Sequence, residues 1–503
     1  MKDVKGGVRS LVFHPVFTYR GNGRRFSLHQ GLSNYNRVLR KQMVAFSNMS
    51  HGEPSVDAHA PASSPLQDDP REPGVMQAAA CLLFGASLNA TFNFTGIGLP
   101  VRVGVSDFLA PLLVLIGAWA LWRRNWDFRL HMQWFAPVCL GFSAWLACGL
   151  LIGRAHLGEW TSWAVVNRGA GWVVVLGYFF VGAWLAASQR RTKTFLTGFW
   201  GIAALIAAGS SLAYYLNALK IIGISFPRNT GLLSNPNSFG ILIAVCFFVY
   251  LTMGGVARAN KKLDISICLT FAFAELTSFS RTGWILFLLV LAVAPLLRLL
   301  SWRRVALIVV IPVVLHVTMV SKPGIIPWPS FGNDAVQAQN AAGKPKKKPK
   351  KVKLSTTDAF GYHVVSAQSL DYRIELFRES LSHWRDSPAT GAGVGVVYAK
   401  EVERRGSVYA STIHSSPIWL LTETGAVGFA FFAWLYLGSL WALWRTWRRD
   451  GGRMQLLGLG TLLLLGLASL PTDVMFQRYL WVIWGMALGA GAALSAPGVG
   501  GRS

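Results

Sequence analysis

Apolar runs of about twenty residues recur along this chain, and they constrain it more than any other feature. A bilayer core is about 30 Å thick and takes about 20 apolar residues per helix. Twelve runs qualify: 76–96, 104–122, 133–153, 168–187, 194–214, 238–256, 264–280, 283–300, 305–320, 424–444, 454–470 and 476–494. The seventh, eighth, ninth and eleventh are short or share a tight turn. The expected fold class is therefore all-α: a polytopic membrane protein with about twelve transmembrane helices. The first run starts after 74 residues, so it is not expected to be a cleaved signal peptide.

Composition supports this reading. Of 503 residues, 52% are apolar and 14% charged, against about 25% charged in soluble domains. The net charge of +26 would suggest a nucleic-acid partner in a soluble protein. Here the basic residues alternate with apolar runs, which points to a membrane and away from nucleic acid. The 21 Trp and 30 Phe suit interfacial belts and lipid-facing helices. Cys81, Cys139, Cys148, Cys246 and Cys268 all fall in apolar runs. No disulfide and no cysteine-based metal site is expected.

Loop charge sets the orientation. Arginine and lysine crowd the loops after even-numbered runs: Arg123-Arg124, Arg190-Arg191, Arg258 to Lys262, Arg303-Arg304 and Arg445 to Arg453. The positive-inside rule places these loops and both termini in the cytoplasm. Five segments follow. Residues 1–74 read as a disordered basic and polar tail. Residues 75–320 hold transmembrane helices 1–9, and 321–423 form a large periplasmic loop. Residues 424–495 hold helices 10–12, and 496–503 are a cytoplasmic tail. The long loop contains Lys344-Pro-Lys-Lys-Lys-Pro-Lys-Lys-Val-Lys353. Outside the membrane this is a flexible tether rather than a nucleic-acid signal. Ile374, Phe377, Leu381 and Trp384 then mark one face of a helix over about 370–386, ended by Ser387-Pro388. It is expected to lie across the mouth of the membrane domain.

Familiar catalytic machinery is missing. There is no Walker loop. Gly391-Ala-Gly-Val-Gly395 follows a helix rather than a strand and reads as a flexible connection. Glu401 and Glu403 precede Arg404-Arg405 and read as a solvated charge cluster rather than metal ligands. Three residues at the outer membrane boundary stand out. Arg228 precedes Ser234-Asn-Pro-Asn-Ser238, which has the character of a helix start. Arg281 lies in the tight turn Thr277-Ser-Phe-Ser-Arg-Thr-Gly283. An arginine this near hydrocarbon either serves a site or snorkels to lipid phosphates. His414 lies where the long loop rejoins the membrane. Glu275, Glu423 and Asp107 are further ionisable groups in or near apolar runs; Glu275 compensates nearby charge and Asp107 is interfacial in this reading.

The sequence resembles the O-antigen ligase and polymerase superfamily, and the ligases most closely. Their signature is His, then Asn/Ser/Gln, nine residues, Gly, two residues, then Gly/Thr/Tyr. Here it reads His414-Ser415, Ser416 to Thr424, Gly425, Ala426-Val427, Gly428. An Arg-x-x-x-Leu element is matched by Arg228 and Leu232, and a Ser-Arg-Thr-Gly turn by Ser280 to Gly283. The resemblance covers about residues 76–495 and leaves out the tail and the Lys/Pro tract.

The resemblance implies a multi-pass inner-membrane glycosyltransferase with its active site on the periplasmic side. Its donor is a glycan on undecaprenyl diphosphate, and its acceptor is a sugar hydroxyl of lipid A–core or another glycan. Neither ATP, metal nor any other cofactor is implied. Arg228 and Arg281 are expected to hold the diphosphate and His414 to take the acceptor's proton, with inversion at the anomeric carbon. The alternatives are a polymerase using the same donor, a protein O-glycosyltransferase, and a lipid or polysaccharide transporter. No internal repeat of the transporter kind is visible.

Overall fold

The computed structural model describes residues 75–94, 101–108, 134–219, 221, 228–233, 235–320, 368–405 and 413–495. All belong to a unit spanning Pro73–Ser503, distinct from Met1–Glu72. The tail at 1–74, most of the apolar run at 104–122, the basic loop near 123–132 and the Lys344–Lys353 tract lie outside the described residues.

The described chain is helical apart from one short hairpin. Its helices are α1 (Val75–Ser87), α2 (Phe135–Leu157), a π-helix (Trp163–Ala170) running into α3 (Gly171–Ala186), α4 (Gln189–Ala218), α5 (Pro236–Met253) and the one-turn α6 (Gly255–Ala259). They continue with α7 (Lys261–Ser278), α8 (Arg281–Leu296), α9 (Trp302–Val320), α10 (Gln368–Asp386), α11 (Val396–Arg405), α12 (Ser416–Asp450), α13 (Arg453–Ser469) and α14 (Arg478–Ser495). Among the described residues, six stretches are long and apolar enough to cross a membrane: 135–157, 163–186, 189–217, 236–253, 302–319 and 416–450. Three further apolar helices, α1, α8 and α13, are shorter.

The first expected span is overturned in its second half. It stops at Ser87, and Thr91–Phe94 pairs antiparallel with Val101–Gly104 instead. The polar Asn89 turns the chain: its side-chain amide donates to Gly85 O and to Phe199 O, which ends the helix and ties it to α4.

Local chemistry starts the helices. Asn235, Ser280 and Ser415 cap α5, α8 and α12, each accepting a hydrogen bond from a first-turn N–H. Proline is the first residue of α5 and the second of α12, where its missing N–H costs nothing. Helix α5 is apolar all round and buried along almost its whole length, so it forms the axis of the bundle. By contrast α9 is largely uncovered, as a lipid-facing helix should be.

The two ends of α7 carry different charge. At its start Asp264 is buried and accepts from Arg304 at 2.8 Å and from Tyr250 Oη at 2.8 Å. Arg258 lies 3.6 Å away. This end gathers arginines of the basic loops around one carboxylate. At the other end are Arg228 and Arg281.

Candidate functional site

The α7–α8 turn is held in an unusual conformation. Phe279 has φ 49, a left-handed geometry that costs a non-glycine residue about 1–3 kcal/mol. Surrounding contacts impose it. Arg228 donates through Nε to Ser278 O at 3.1 Å and through Nη2 to Phe279 O at 2.6 Å. A third contact reaches Asn237 Oδ1 at 3.3 Å, on the first turn of α5. Behind it, Asn229 donates to Thr277 Oγ1 at 2.9 Å, and its N–H to Thr277 O at 3.0 Å. Arg228 is thus built into the turn rather than snorkelling freely.

Arg281 is the first residue of α8 and is exposed. Helices α5 and α8 cross so closely at Gly240 and Gly283 that a Cβ on Gly283 would fall 2.8 Å from Gly240 Cα. Only glycine permits that approach. It brings two helix N-termini, each with the partial positive charge of its dipole, to one place beside two arginines.

A third arginine joins them that sequence reading missed. Arg373 lies on α10 and donates to Pro471 O at 3.4 Å. Burial lowers the pKa of the Arg228 guanidinium, and the charges of Arg281 and Arg373 lower it further. The same holds for Arg373, depressed by burial and then by Arg281. Among the described residues no carboxylate pairs with any of the three. Glu275 does not compensate Arg281: it is buried at the α5–α8 crossing, with Oε1 3.4 Å from Ser278 Oγ. A periodic signal for Arg373 was present. It shares a helix face with Leu376 and Ser380, both fully buried, whereas Ile374, placed on the expected inner face, is 40% exposed. The buried stripe runs one position earlier than the apolar residues suggested.

His414 stands on a separate limb. It is half-buried between buried Ile413 and the cap residue Ser415. Helix α12 starts at Ser416, eight residues before the expected span, and is broken at Gly425 (φ 69, ψ −175). The loop Gly391–Gly395 packs into that break and is not the flexible connection expected. Ala392 N–H donates to Thr422 O at 2.8 Å, Gly393 N–H to Glu423 O at 3.2 Å and Ala426 N–H to Pro388 O at 2.9 Å. Glu423 is buried in the same knot and accepts from Trp419 Nε1 at 2.6 Å and from Gly395 N–H at 3.1 Å. Helix α11 follows, and Glu401 in it is buried, so it is not solvated; Glu403 is exposed.

The two limbs meet at the segment between α13 and α14. Pro471 O receives Arg373, and two residues on Asp473 Oδ1 receives Ser416 Oγ at 2.9 Å. Asp107 lies elsewhere, paired with Arg478 and accepting from Tyr178 Oη at 2.8 Å. Among the described residues no three His, Cys, Asp or Glu side chains are grouped to hold a metal ion. All five cysteines are free.

Chemically, the first limb has the make-up that suits an anion: guanidinium forks and helix N-termini favour phosphate oxygens. The second offers an imidazole, a group able to move protons near neutral pH. No curated protein matches the chain. Residues 266–433 match the family described as O-antigen ligase, a stretch that holds Arg281, Arg373, His414, Gly425 and Gly428 but not Arg228. That match implies a glycosyltransferase-like membrane enzyme. Over residues 266–433, the stretch that contains the His414 motif, the chain thus matches an O-antigen ligase family domain.

Proposed function

We propose that this protein is an inner-membrane O-antigen ligase. It moves a glycan from undecaprenyl diphosphate to a sugar hydroxyl of lipid A–core, without ATP or metal. One observation carries the reading: Arg228 is fixed in the α7–α8 turn and on the first turn of α5, Arg281 opens α8 two residues after that turn, and no carboxylate partner is present among the described residues; Arg373 adds its charge to theirs. Three like charges so placed repel, and a dianionic diphosphate reverses the sign of that energy.

A lipid diphosphate is a good leaving group. It needs its departing charge stabilised more than it needs a proton, which fixed arginines do. The acceptor hydroxyl is a poor nucleophile, so a base assists it; His414 takes that proton. Base and diphosphate clamp then lie on opposite sides of the anomeric carbon, the attack is in line and the configuration inverts. In this reading about twelve helices span the membrane, and the loop from 321 to 423 with α10 and α11 is periplasmic. The donor is then held at the membrane surface and the acceptor arrives from outside.

The lipopolysaccharide profile of a deletion strain tests this. Core without polymeric antigen, and polymer accumulating on its lipid carrier, is the expected result. Core capped by a single repeat would instead identify a polymerase, and an unchanged profile would refute both.

A further inference from the structure

The His414 limb rests on an ion pair, its arginine buried and its aspartate partly so, that the reaction scheme leaves unused. Arg168 lies in the π-helix and is 2% exposed. Its Nη1 donates to Asp473 Oδ2 at 2.7 Å. The guanidinium carbon is 4.1 Å from the ring centre of Trp419, 5.1 Å from that of Phe476 and 5.4 Å from that of Trp163. One cation therefore joins the π-helix, the first turn of α12 and the segment before α14. Asp473 completes the joint. Its Oδ1 accepts from Ser416 Oγ at 2.9 Å, and Ser416 Oγ accepts from Val474 N–H at 3.0 Å. Ser416 is the first residue of α12, two positions after His414.

This construction is expensive. A buried arginine–aspartate pair rarely stabilises more than an apolar pair of the same volume would, and its use is to specify geometry. A π-turn, itself less stable than α-helix, presents the arginine here, and such turns cluster at functional sites. What the joint specifies is the start of α12 and the turn before it.

We infer that Arg168 and Asp473 are positioning residues for His414: through Ser416 their ion pair fixes the turn on which the imidazole stands. The inference rests on the reading of His414 as the acceptor's base. Neither residue of the pair is asked to touch donor or acceptor.

Single and double variants of the full-length protein test it, with lipid-linked glycan as donor and lipid A–core as acceptor. Ser416→Ala removes the hydroxyl link and leaves the ion pair, so the bundle should fold. Asp473→Asn, which keeps an oxygen for Ser416 but loses the charge, is the second variant and is read in the same cycle. Turnover should fall about tenfold or more in Ser416→Ala, with donor KM within about twofold of wild type. In a His414→Ala background the same change should cost less than about twofold, because an absent base and a misplaced base fail alike. An undiminished tenfold loss in that background would overturn the inference, since Ser416 would then act independently of His414. Wild-type turnover in both Ser416→Ala and Asp473→Asn would overturn it equally. Failure of the His414 reading looks different: His414→Ala alone would keep near-normal turnover.

Discussion

Arginine at positions 228 and 281 differs from lysine in offering a planar fork of donors, which suits carbonyl acceptors in the turn as well as paired oxygens of a phosphate. The Arg228 guanidinium uses Nε and Nη2 on three separate acceptors and still belongs to the charged cluster. An ammonium cannot reproduce that fork, since it is a compact point charge. Arg228→Lys and Arg281→Lys should therefore each lose turnover by about a hundredfold, equivalent to about 2.7 kcal/mol in the transition state. Arg373→Gln should mainly raise donor KM, because its contact to Pro471 O leaves it beside the other two without building their turn. Steady-state kinetics on all three variants checks this. Near-normal rates in both lysine variants would show that those arginines serve the fold alone.

The family motif acquires a physical explanation at the level of the element. Its first glycine, Gly425, is where α12 breaks, and no side chain fits there. A Cβ would lie 2.2 Å from Ala389 O, and φ is 69. The break frees carbonyls that the Gly391–Gly395 loop then satisfies, so loop and broken helix form one structure. Gly425→Ala should destabilise the protein by about 3 kcal/mol or more, combining a backbone penalty with steric overlap. Thermal unfolding in detergent measures this. Gly201→Ala in α4 is the control, because a Cβ there meets nothing within 4 Å. Equal midpoints for the two variants would contradict this account of the motif. The hairpin after α1 and the shifted stripe of α10 show the limit of reading elements one at a time. Asn89 reaches across to α4, and the face of α10 is decided by what packs against it.

For the whole molecule, the proposed orientation makes a direct prediction. In a background lacking native cysteines, Lys350→Cys should react with an impermeant thiol reagent while the inner membrane is intact. Asn125→Cys and Arg449→Cys should react only after that membrane is disrupted. The reverse pattern would invert the topology and put His414 on the cytoplasmic side. The sequence by itself determined that this is a helical membrane protein, because apolar length and loop charge are properties of contiguous residues. It also singled out Arg228, Arg281 and His414, since polar groups at hydrocarbon boundaries and a spaced glycine motif are visible along the chain. Tertiary structure alone decided the rest. Arg373 and Arg168 look like ordinary surface and helix residues until α10 and the π-helix are packed. Asp473 and Ser416 are 57 positions apart. Gly391–Gly395 looks like a flexible loop until it meets the break at Gly425. In each case the partners are distant in sequence, and the energy that selects them comes from burial and from polar groups satisfied across the bundle rather than from any local preference.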